Sequence, residues 1–499
     1  MKRKIISIML SLMVTGSLLA GCGQSAGGEQ TGESAASAAG SAEETVASAE
    51  ETSASQETDS AQAEGPQEVI TVNIWSANMH DKAVMDEMVA EFNDTIGKER
   101  GLEIEYLANS NDYSSALELA FAGGTEPDLM TSTWIPTDML KGWIVPLDEI
   151  SGLDELIEKR SPYMQVGTTS YEGHVYALPM AVTTRGLVYN KEMFVEAGLV
   201  DENGEATPPK TWDEFVEYAR ILTDVSNNQF GVIIPMMWSD WFTSDIGEPS
   251  LVNSGLHMGY DYVTGQYDYE SFRAAMEAFL QIKEDGSYLP GEASIDNDPA
   301  RARFAEGNIG MKFAYSFDVG VFSDQFPAKC DWGVAPLPVA DLDNMYLQPM
   351  SINGGFCLTQ SGLEKLGEEN AAIVVEYFSS DEMLARLYEE GVSLPVDPEI
   401  LVNTTIENPK TGWTEFAQMI NISTVLPSVG PIDLSGKPSV SDMFVNEVWP
   451  GTMSVDEFIE TANQNYNEAM ETYAELHPEK DMSVYIVPDW DAHRDSYEP

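Results

Sequence analysis

Apolar and polar residues alternate along the chain in blocks that predict strands followed by helices. Residues 69–75 form an apolar run rich in β-branched side chains, which predicts a strand. Residues 83–92 follow, with apolar side chains spaced as on one helix face. The same order recurs in a predicted strand over 102–107, a helix over 113–121 and a short strand over 127–130. Strands that alternate with helices indicate α/β lobes with mainly parallel sheets.

Further elements follow without a repeat of fixed period. We predict helices over residues 191–197, 212–223, 272–284, 371–378, 382–389, 413–420 and 455–475, and strands over 310–315 and 333–336. Thr211 is a candidate N-cap, because Glu214 stands three residues on, at the spacing of a capping box. Ligands of open α/β sheets bind beyond the carboxyl ends of the strands. Residues 75–80 and 132–134 are therefore expected on one rim.

The N-terminus carries the features of an export signal. Basic residues at positions 2–4 precede an apolar stretch over residues 5–20, which is shorter than the about 20 residues of a membrane span. Small residues then lead directly to Cys22. This arrangement resembles a bacterial lipoprotein signal, in which the cysteine is lipidated and becomes the mature N-terminus. We expect residues 1–22 to be such a signal peptide; the alternative is an ordinary cleaved signal with an incidental cysteine.

Residues 23–66 have the composition of a disordered tether. They are rich in Ser, Ala and Glu and contain no aromatic residue, no lysine and no arginine. Such a segment cannot bury enough apolar area to offset the entropy lost on ordering. The folded part is therefore expected to begin near residue 67. With lipid on Cys22, the protein would be held at the outer face of the cell membrane, stably if two or more acyl chains are attached.

The net charge of the chain bears on which kinds of partner it can bind. The 499 residues include 25 Lys and Arg against 83 Asp and Glu, which gives a formal net charge of −58. Nucleic-acid binding requires clustered lysines and arginines, so this balance argues against a nucleic-acid partner. Three cysteines in a chain of this length exclude a disulfide-stapled scaffold. We expect Cys330 and Cys357 to be free thiols, although the sequence leaves a disulfide between them open.

Seven short motifs occur in one order along nearly all of residues 68–475. They are GHVYALP at 173–179, TTRGLVYNK at 183–191, PKTWDEF at 209–215, FAEGNIGM at 304–311, GVAPLP at 333–338, GGF at 354–356 and LPV at 394–396. Each motif is a weak signal by itself, whereas the ordered set is specific. Together they resemble the extracellular solute-binding proteins of carbohydrate importers of the ATP-binding-cassette class, in particular the maltose-binding-protein-like group.

This resemblance implies an α/β, two-lobed periplasmic-binding-protein-like fold with an interlobe hinge and a ligand cleft. The chain is expected to cross between lobes near residues 180–186, 296–304 and 351–356. The implied N-terminal lobe comprises residues 67–180 and 304–352, and the implied C-terminal lobe residues 186–296 and 356–499. In such a fold the ligand favours the closed form only through the extra contacts it makes there.

The implied function is that of a lipid-anchored receptor, which captures a sugar or oligosaccharide and passes it to a membrane permease. We expect a monomer that needs no cofactor and carries out no covalent step. A sugar site needs aromatic rings for C–H faces and polar side chains for hydroxyl edges. Chemistry and family position together select Trp75, Asn78, Trp134, Arg185, Trp238, Trp241, Tyr315, Asp318, Asn353, Gly354 and Trp413 as candidate ligand contacts.

Several of these candidates have a structural alternative. Arg185 could pair with an acidic neighbour, Trp238 and Trp241 could form a core pair, and Trp413 could pack between helices. The sequence contains no Gly-x-Ser-x-Gly elbow, no His-Glu-x-x-His and no phosphate loop, which favours a binding protein over an enzyme. Residues 296–298 are acidic or amidic but do not match a calcium loop, so no metal is expected.

Two other functions stay open at this point. The 83 acidic residues could include a carboxylate pair, so a surface-tethered glycoside hydrolase is one alternative. The acidic surplus also leaves open a receptor for cations or polyamines with the same fold.

Overall fold

A computed structural model describes residues 69–109 and 112–493. Its strands are β1 (Ile70–Ser76), β2 (Leu102–Ala108), β3 (Leu129–Met130), β4 (Ser170–Tyr171), β5 (His174–Val175), β6 (Pro179–Thr183), β7 (Arg185–Asn190), β8 (Phe230–Val232), β9 (Tyr260–Asp261), β10 (Gln266–Tyr267), β11 (Ile309–Tyr315), β12 (Trp332–Ala335), β13 (Gln348–Gly354), β14 (Cys357–Leu358), β15 (Leu394–Pro395) and β16 (Ser423–Val425). The expected signal peptide, Cys22 and the tether lie outside the described residues.

The helices complete the described part of the chain. They are α1 (Lys82–Phe92), α2 (Lys98–Arg100), α3 (Tyr113–Gly123), α4 (Ile135–Leu140), α5 (Asp154–Arg160), α6 (Lys191–Ala197), α7 (Trp212–Ile221), α8 (Ser250–Ser254), α9 (Arg273–Asp285), α10 (Asn297–Ala305), α11 (Asp318–Gly320), α12 (Gln360–Ser379), α13 (Asp381–Glu389), α14 (Pro398–Asn403), α15 (Trp413–Gln418), α16 (Val440–Met443) and α17 (Val455–Leu476). None of these helices combines the length and apolar composition that a membrane span requires.

The first lobe is built on a four-stranded sheet in the order β14-β3-β1-β2. Strand β1 runs parallel to β2 and β3, whereas β14 is antiparallel to β3. Val72 and Ile74 of β1 point to one face, where they pack with the buried stripe of α1 that includes Met88 and Phe92. Alternation along the strand and helical spacing in α1 thus bury the same core.

The second lobe is built on the sheet β12-β7-β11-β8. Strand β7 lies inside this sheet, antiparallel to β11 and β12, and all of its residues are buried. In a strand that is buried on both faces, the sequence tends to be continuously apolar and does not alternate between apolar and polar residues. On one face a large aromatic core includes Trp212, Phe215 and Phe279.

A third sheet, β15-β6-β13-β16, connects the two lobes. Thr184 is the single residue between β6 and β7, so the chain passes there from the third sheet into that of the second lobe. Its buried hydroxyl donates to the carbonyl of Phe416 at 2.9 Å. Strand β13 leads through Gly355 and Phe356 into β14 of the first lobe. These two passages join the lobes through the third sheet.

The strand pairing differs from the expected lobe boundaries in two segments. Strand β11, expected in the N-terminal lobe with residues 304–352, pairs with β7 and β8 in the second lobe. Strand β14, α12 and α13, expected in the C-terminal lobe, belong to the first lobe, because β14 pairs with β3 and both helices share a core with β1. A run of apolar residues predicts a strand but does not specify which sheet it joins.

Candidate functional site

A cavity of ≈ 380 Å³ lies where the first lobe, the third sheet and the segment after β11 meet. We call this cavity the cleft. Most of its lining comes from loops that follow strand ends in the first lobe, at residues 77–81 and 131–135, and from β6 and β13. Phe317 is the lining residue that the second lobe supplies. The site therefore lies beyond the carboxyl ends of the parallel strands, as expected for an α/β sheet.

Hydrogen bonds between two loops shape the first wall of the cleft. The amide of Asn78 donates to Ser76 Oγ at 3.1 Å, and the amide of Ala77 donates to Thr131 Oγ1 at 2.8 Å. The Tyr113 hydroxyl in turn lies 3.1 Å from Thr131 Oγ1. These bonds hold the loop after β1 against the loop after β3, so that Asn78 lines the cleft.

Trp134 supplies an aromatic ring at the cleft that is 60% exposed. Its backbone is the N-cap of α4, and the turn before it is fixed by Asp138, which accepts hydrogen bonds from Ser132 Oγ at 2.6 Å and from the amide of Thr133 at 3.1 Å. A large exposed ring on a fixed turn is suited to stack against an apolar ligand face.

The end of β13 forms the floor of the cleft. Asn353 Nδ2 donates to Thr183 Oγ1 at 2.8 Å, which ties β13 to β6. A Cβ at Gly354 would lie 3.1 Å from the Ala177 Cβ, and one at Gly355 would lie 2.6 Å from Met180 Sδ. The absence of side chains there allows the backbone to approach the neighbouring strand closely. Apolar side chains complete this surface, namely Met85, Met180, Ile352, Phe356, Phe378 and Leu387.

An aromatic contact joins the two lobes across the cleft. The His80 ring from the first lobe stacks on Phe317 from the second, with ring centroids 5.5 Å apart. Arg301 lies over the Phe317 ring and pairs with Asp318 at 2.6 Å. Part of His80 faces solvent, whereas its ring packs on Phe317. Desolvation there lowers the pKa of His80 to about 4, and Asp318 opposes that shift.

Four of the predicted contact residues lie together at the cleft: Asn78, Trp134, Asn353 and Gly354. The other seven do not line it. Trp75 packs against the first-lobe cluster around Tyr113 and Met130. Trp238 packs on the core of the second lobe, and Trp241 is buried within that core.

Three of the remaining predicted contacts lie in the second lobe, and the fourth, Trp413, bonds to α13 of the first lobe. Arg185 is 1% exposed, pairs with Glu248 and donates to Ser244 Oγ at 2.7 Å. Tyr315 stacks 4.3 Å below the Arg185 guanidinium. Asp318 accepts a hydrogen bond from the Tyr315 amide and forms the ion pair with Arg301. Trp413 Nε1 donates to the Tyr388 carbonyl at 3.0 Å. These side chains have protein partners, so the structure assigns them to the fold rather than to the cleft.

Sequence reasoning missed several lining residues. His80 lies within the expected rim of residues 75–80 and 132–134 but was not selected as a contact, and Asp81 and Thr131 directly flank that rim. No sequence signal indicated the apolar lining residues Phe317, Met180 and Phe356, because the sequence alone does not distinguish an apolar residue beside a cleft from one in the core. Asp81 is the acidic member of this group, and burial raises its pKa to about 7.

The fold is two-lobed, with a cleft at the lobe junction as its candidate site. Residues 76–356 match the family described as bacterial extracellular solute-binding protein. The match extends over more than half of the chain, and the protein belongs to this family. The resemblance carried by the ordered motifs is thereby confirmed, as is the expectation of a binding protein rather than an enzyme.

Individual relatives agree with this assignment. The chain is 27% identical over 327 residues to the maltotriose-binding protein of Pyrococcus abyssi, covering 64% of this chain and 66% of that protein. It is 25% identical over 319 residues to the sn-glycerol-3-phosphate-binding periplasmic protein of Escherichia coli strain K12, covering 61% of this chain and 69% of that one. The chain thus spans just under two thirds of the maltotriose-binding relative.

Solved structures show the same fold. The GacH receptor of Streptomyces glaucescens, determined unliganded and with acarbose, has a TM-score of 0.61 at 19% identity and covers 83% of this chain and 100% of its own. The maltose/maltodextrin-binding domain of Bdellovibrio bacteriovorus bound to maltotriose has a TM-score of 0.59 at 19% identity, covering 81% and 100%. The expected two-lobed fold is confirmed by these structures.

Proposed function

We propose that this protein captures a neutral sugar or oligosaccharide in the cleft and delivers it to the permease of an ATP-binding-cassette importer. One observation carries the proposal: the cleft combines the exposed Trp134 ring with polar side chains at Asn78 and Asn353 and an apolar floor. Sugars present apolar C–H faces and hydroxyl edges, and this lining offers a partner for both. The names of the maltotriose-binding relatives support the same ligand class.

The charge of the lining disfavours the other ligand classes. Among the described residues that line the cleft there is no lysine or arginine, whereas a phosphate group needs such charged donors. Asp81 is the one carboxyl group among them. A glycoside hydrolase needs two carboxyl groups flanking the bond, and a polyamine needs several acidic partners. A neutral polyhydroxylated ligand fits this lining better than a phosphate or a polycation.

We further propose that the protein is a lipoprotein attached to the membrane through Cys22. The small residues before Cys22 and the apolar stretch over residues 5–20 support this location. A Cys22→Ser variant should lose incorporation of labelled fatty acid and appear in the soluble fraction. Membrane retention of the variant without label would contradict the anchor.

A thermal-shift screen of the full-length protein tests the ligand class. Mono- and oligosaccharides, glycerol 3-phosphate, spermidine and amino acids are compared, because a ligand that binds only the folded state raises the melting temperature. At a hundredfold excess over Kd the expected stabilisation is about 2.7 kcal/mol. A shift with one sugar class, with the sugar recovered unchanged, supports the proposal. A shift with spermidine or glycerol 3-phosphate alone would overturn it, and cleavage of the sugar would show a hydrolase.

A further inference from the structure

Asp81 occupies an unusual position at the cleft. It is the N-cap residue of α1, where an aspartate side chain ordinarily accepts a hydrogen bond from a backbone amide of the first helical turn. Here the side chain makes no such bond and instead lines the cleft. The residue is 9% exposed, and its Oδ1 is enclosed without a hydrogen-bond partner among the described residues. A buried acceptor of this kind calls for a donor, and none of the described residues completes a hydrogen bond to Oδ1.

A second buried polar atom lies nearby. The Tyr106 hydroxyl of β2 also has no hydrogen-bond partner in the described structure. Burial raises the pKa of Tyr106, and the neighbouring Asp81 carboxyl raises it further. Hydrogen bonding from the Asn78 and Tyr106 side chains toward the carboxyl group opposes part of the rise in the pKa of Asp81, but neither side chain completes a hydrogen bond to Oδ1.

Within residues 69–109 and 112–493, no lysine or arginine forms an ion pair with the Asp81 carboxyl. Lys82, the next residue in the chain, pairs with Asp86, and Arg301, which lies over the Phe317 ring, pairs with Asp318. The remaining titratable neighbours are His80, whose pKa is lowered to about 4, and Tyr106. Burial therefore dominates, and the pKa of Asp81 is raised to about 7. In the empty protein near neutral pH, the acid and the carboxylate are both populated.

We propose that the Asp81 carboxylate accepts a hydrogen bond from a hydroxyl group of the bound sugar, so that sugar capture releases a proton. This inference rests on the proposed sugar-binding function and identifies one of its specificity-determining groups. The carboxylic acid loses its proton to the buffer, and the sugar O–H donates to the carboxylate that results. Such a bond stabilises the charged form. The sugar therefore binds more tightly as pH rises through 7, and more weakly as the carboxyl is protonated.

Titration calorimetry on the full-length protein tests this proposal. The sugar with the largest thermal shift is used, with maltotriose as the first probe. The Kd is expected to fall about tenfold between pH 5.5 and pH 8.5, which corresponds to a shift of about one pKa unit on binding. At pH 6.5, two buffers of different ionisation enthalpy should give different apparent heats, which reveals release of up to one proton for each sugar bound.

Two variants separate Asp81 from its neighbours. Asp81→Asn removes the ionisable group with little change of shape, so its Kd should not vary over this pH range and should match the weaker low-pH value of the unmodified protein. His80→Gln should keep the pH slope, whatever its absolute affinity. Unchanged melting temperatures show that both variants fold.

Three results would overturn the proposal. They are a Kd that is constant with pH in the unmodified protein, a slope of opposite sign, or a slope that persists in Asp81→Asn. Sugar binding without proton release overturns this inference alone. If no sugar binds at any pH, the proposed function and this inference fail together.

Discussion

Trp134 is an exposed aromatic ring that the fold holds firmly in place. Its turn is fixed by Asp138, and the ring lies beside Gly167, where a Cβ would be 3.6 Å from Trp134 Nε1. A ring fixed in this way loses little conformational freedom when a ligand stacks on it. Trp134 is therefore the side chain whose removal should cost the most sugar affinity.

Trp134→Ala is expected to raise the Kd for the sugar about tenfold or more, equivalent to about 1.5 kcal/mol of lost stacking and apolar contact. Calorimetry measures this change. Trp238→Ala is the matched control, because Trp238 is half-buried against the second-lobe core and does not line the cleft. An equal loss of affinity in both variants would show that Trp134 is not a stacking residue.

A histidine far from the ligand should make stability depend on pH. Burial lowers the pKa of His257 to about 4, whereas an unfolded histidine titrates near 6.5. Between these values the unfolded state binds a proton that the folded state does not, so stability falls as pH decreases from about 6.5 to 4. Over this pH range, the free energy of unfolding of His257→Gln should therefore decrease by up to about 3 kcal/mol less than that of the unmodified protein. Urea unfolding at several pH values measures this difference. The same dependence of unfolding free energy on pH in both proteins would contradict the prediction.

At the scale of the elements, local signals located about half of the described α-helices and fewer of the strands, and they did not identify which strands pair. The strand predicted over residues 69–75 is Ile70–Ser76, and the helix predicted from residue 212 begins there, with the Thr211–Glu214 capping box formed. Strand β14 was not predicted, since two residues carry no periodicity and it exists by pairing with β3. Pairing between distant segments is a property of the packed molecule rather than of the local sequence.

The candidate site shows the same limit. Asn78 and Trp134 were predicted as contacts because they follow strand ends, where α/β sheets bind ligands, and both line the cleft. Arg185 pairs with an acidic residue, which was the alternative to a ligand contact, and that partner, Glu248, lies 63 residues along the chain, where the neighbouring sequence does not indicate it. A buried ion pair and a ligand-binding arginine look alike until the partner is known.

Helix α12 contains a break that only glycine accommodates easily. The predicted helix over residues 371–378 is the second part of this longer helix, and Gly367 within it has φ 71° and ψ 164°. Gly367→Ala should destabilise the protein by about 1–3 kcal/mol through backbone strain alone, because nothing lies within 4 Å of the added Cβ. Gly123→Ala in α3 is the control and should be neutral or stabilising by up to about 1 kcal/mol. Thermal or urea unfolding measures the stability of both variants. Equal changes in stability in Gly367→Ala and Gly123→Ala would contradict backbone strain at Gly367.

At the scale of the whole molecule, closure depends on contacts that the second lobe makes at the cleft. Beside the His80–Phe317 stack, Gln165 Nε2 donates to the Leu426 carbonyl at 2.9 Å and Ser428 Oγ donates to the Val166 carbonyl at 3.1 Å. A ligand can favour closure only by contacts that are better in the closed form. Phe317, as the lining residue from the second lobe, is placed to provide one.

Phe317→Ala should therefore weaken sugar binding about tenfold. It should also reduce the decrease in radius of gyration on sugar addition, because fewer contacts favour the closed form. Calorimetry and small-angle X-ray scattering measure the two effects, and the melting temperature of the sugar-free protein is the control for folding. Full affinity with full compaction in the variant would show that closure does not depend on this ring.

The distribution of tryptophans gives the protein an intrinsic optical reporter. Trp241 and Trp413 are buried, and Trp212 and Trp332 are nearly so, whereas Trp134 is exposed at the cleft. Indole fluorescence shifts to shorter wavelength when the ring leaves water, so a sugar that covers Trp134 would change one emitter over a steady background. Occupancy of the cleft could then be followed by emission in real time, without a dye or a labelled sugar.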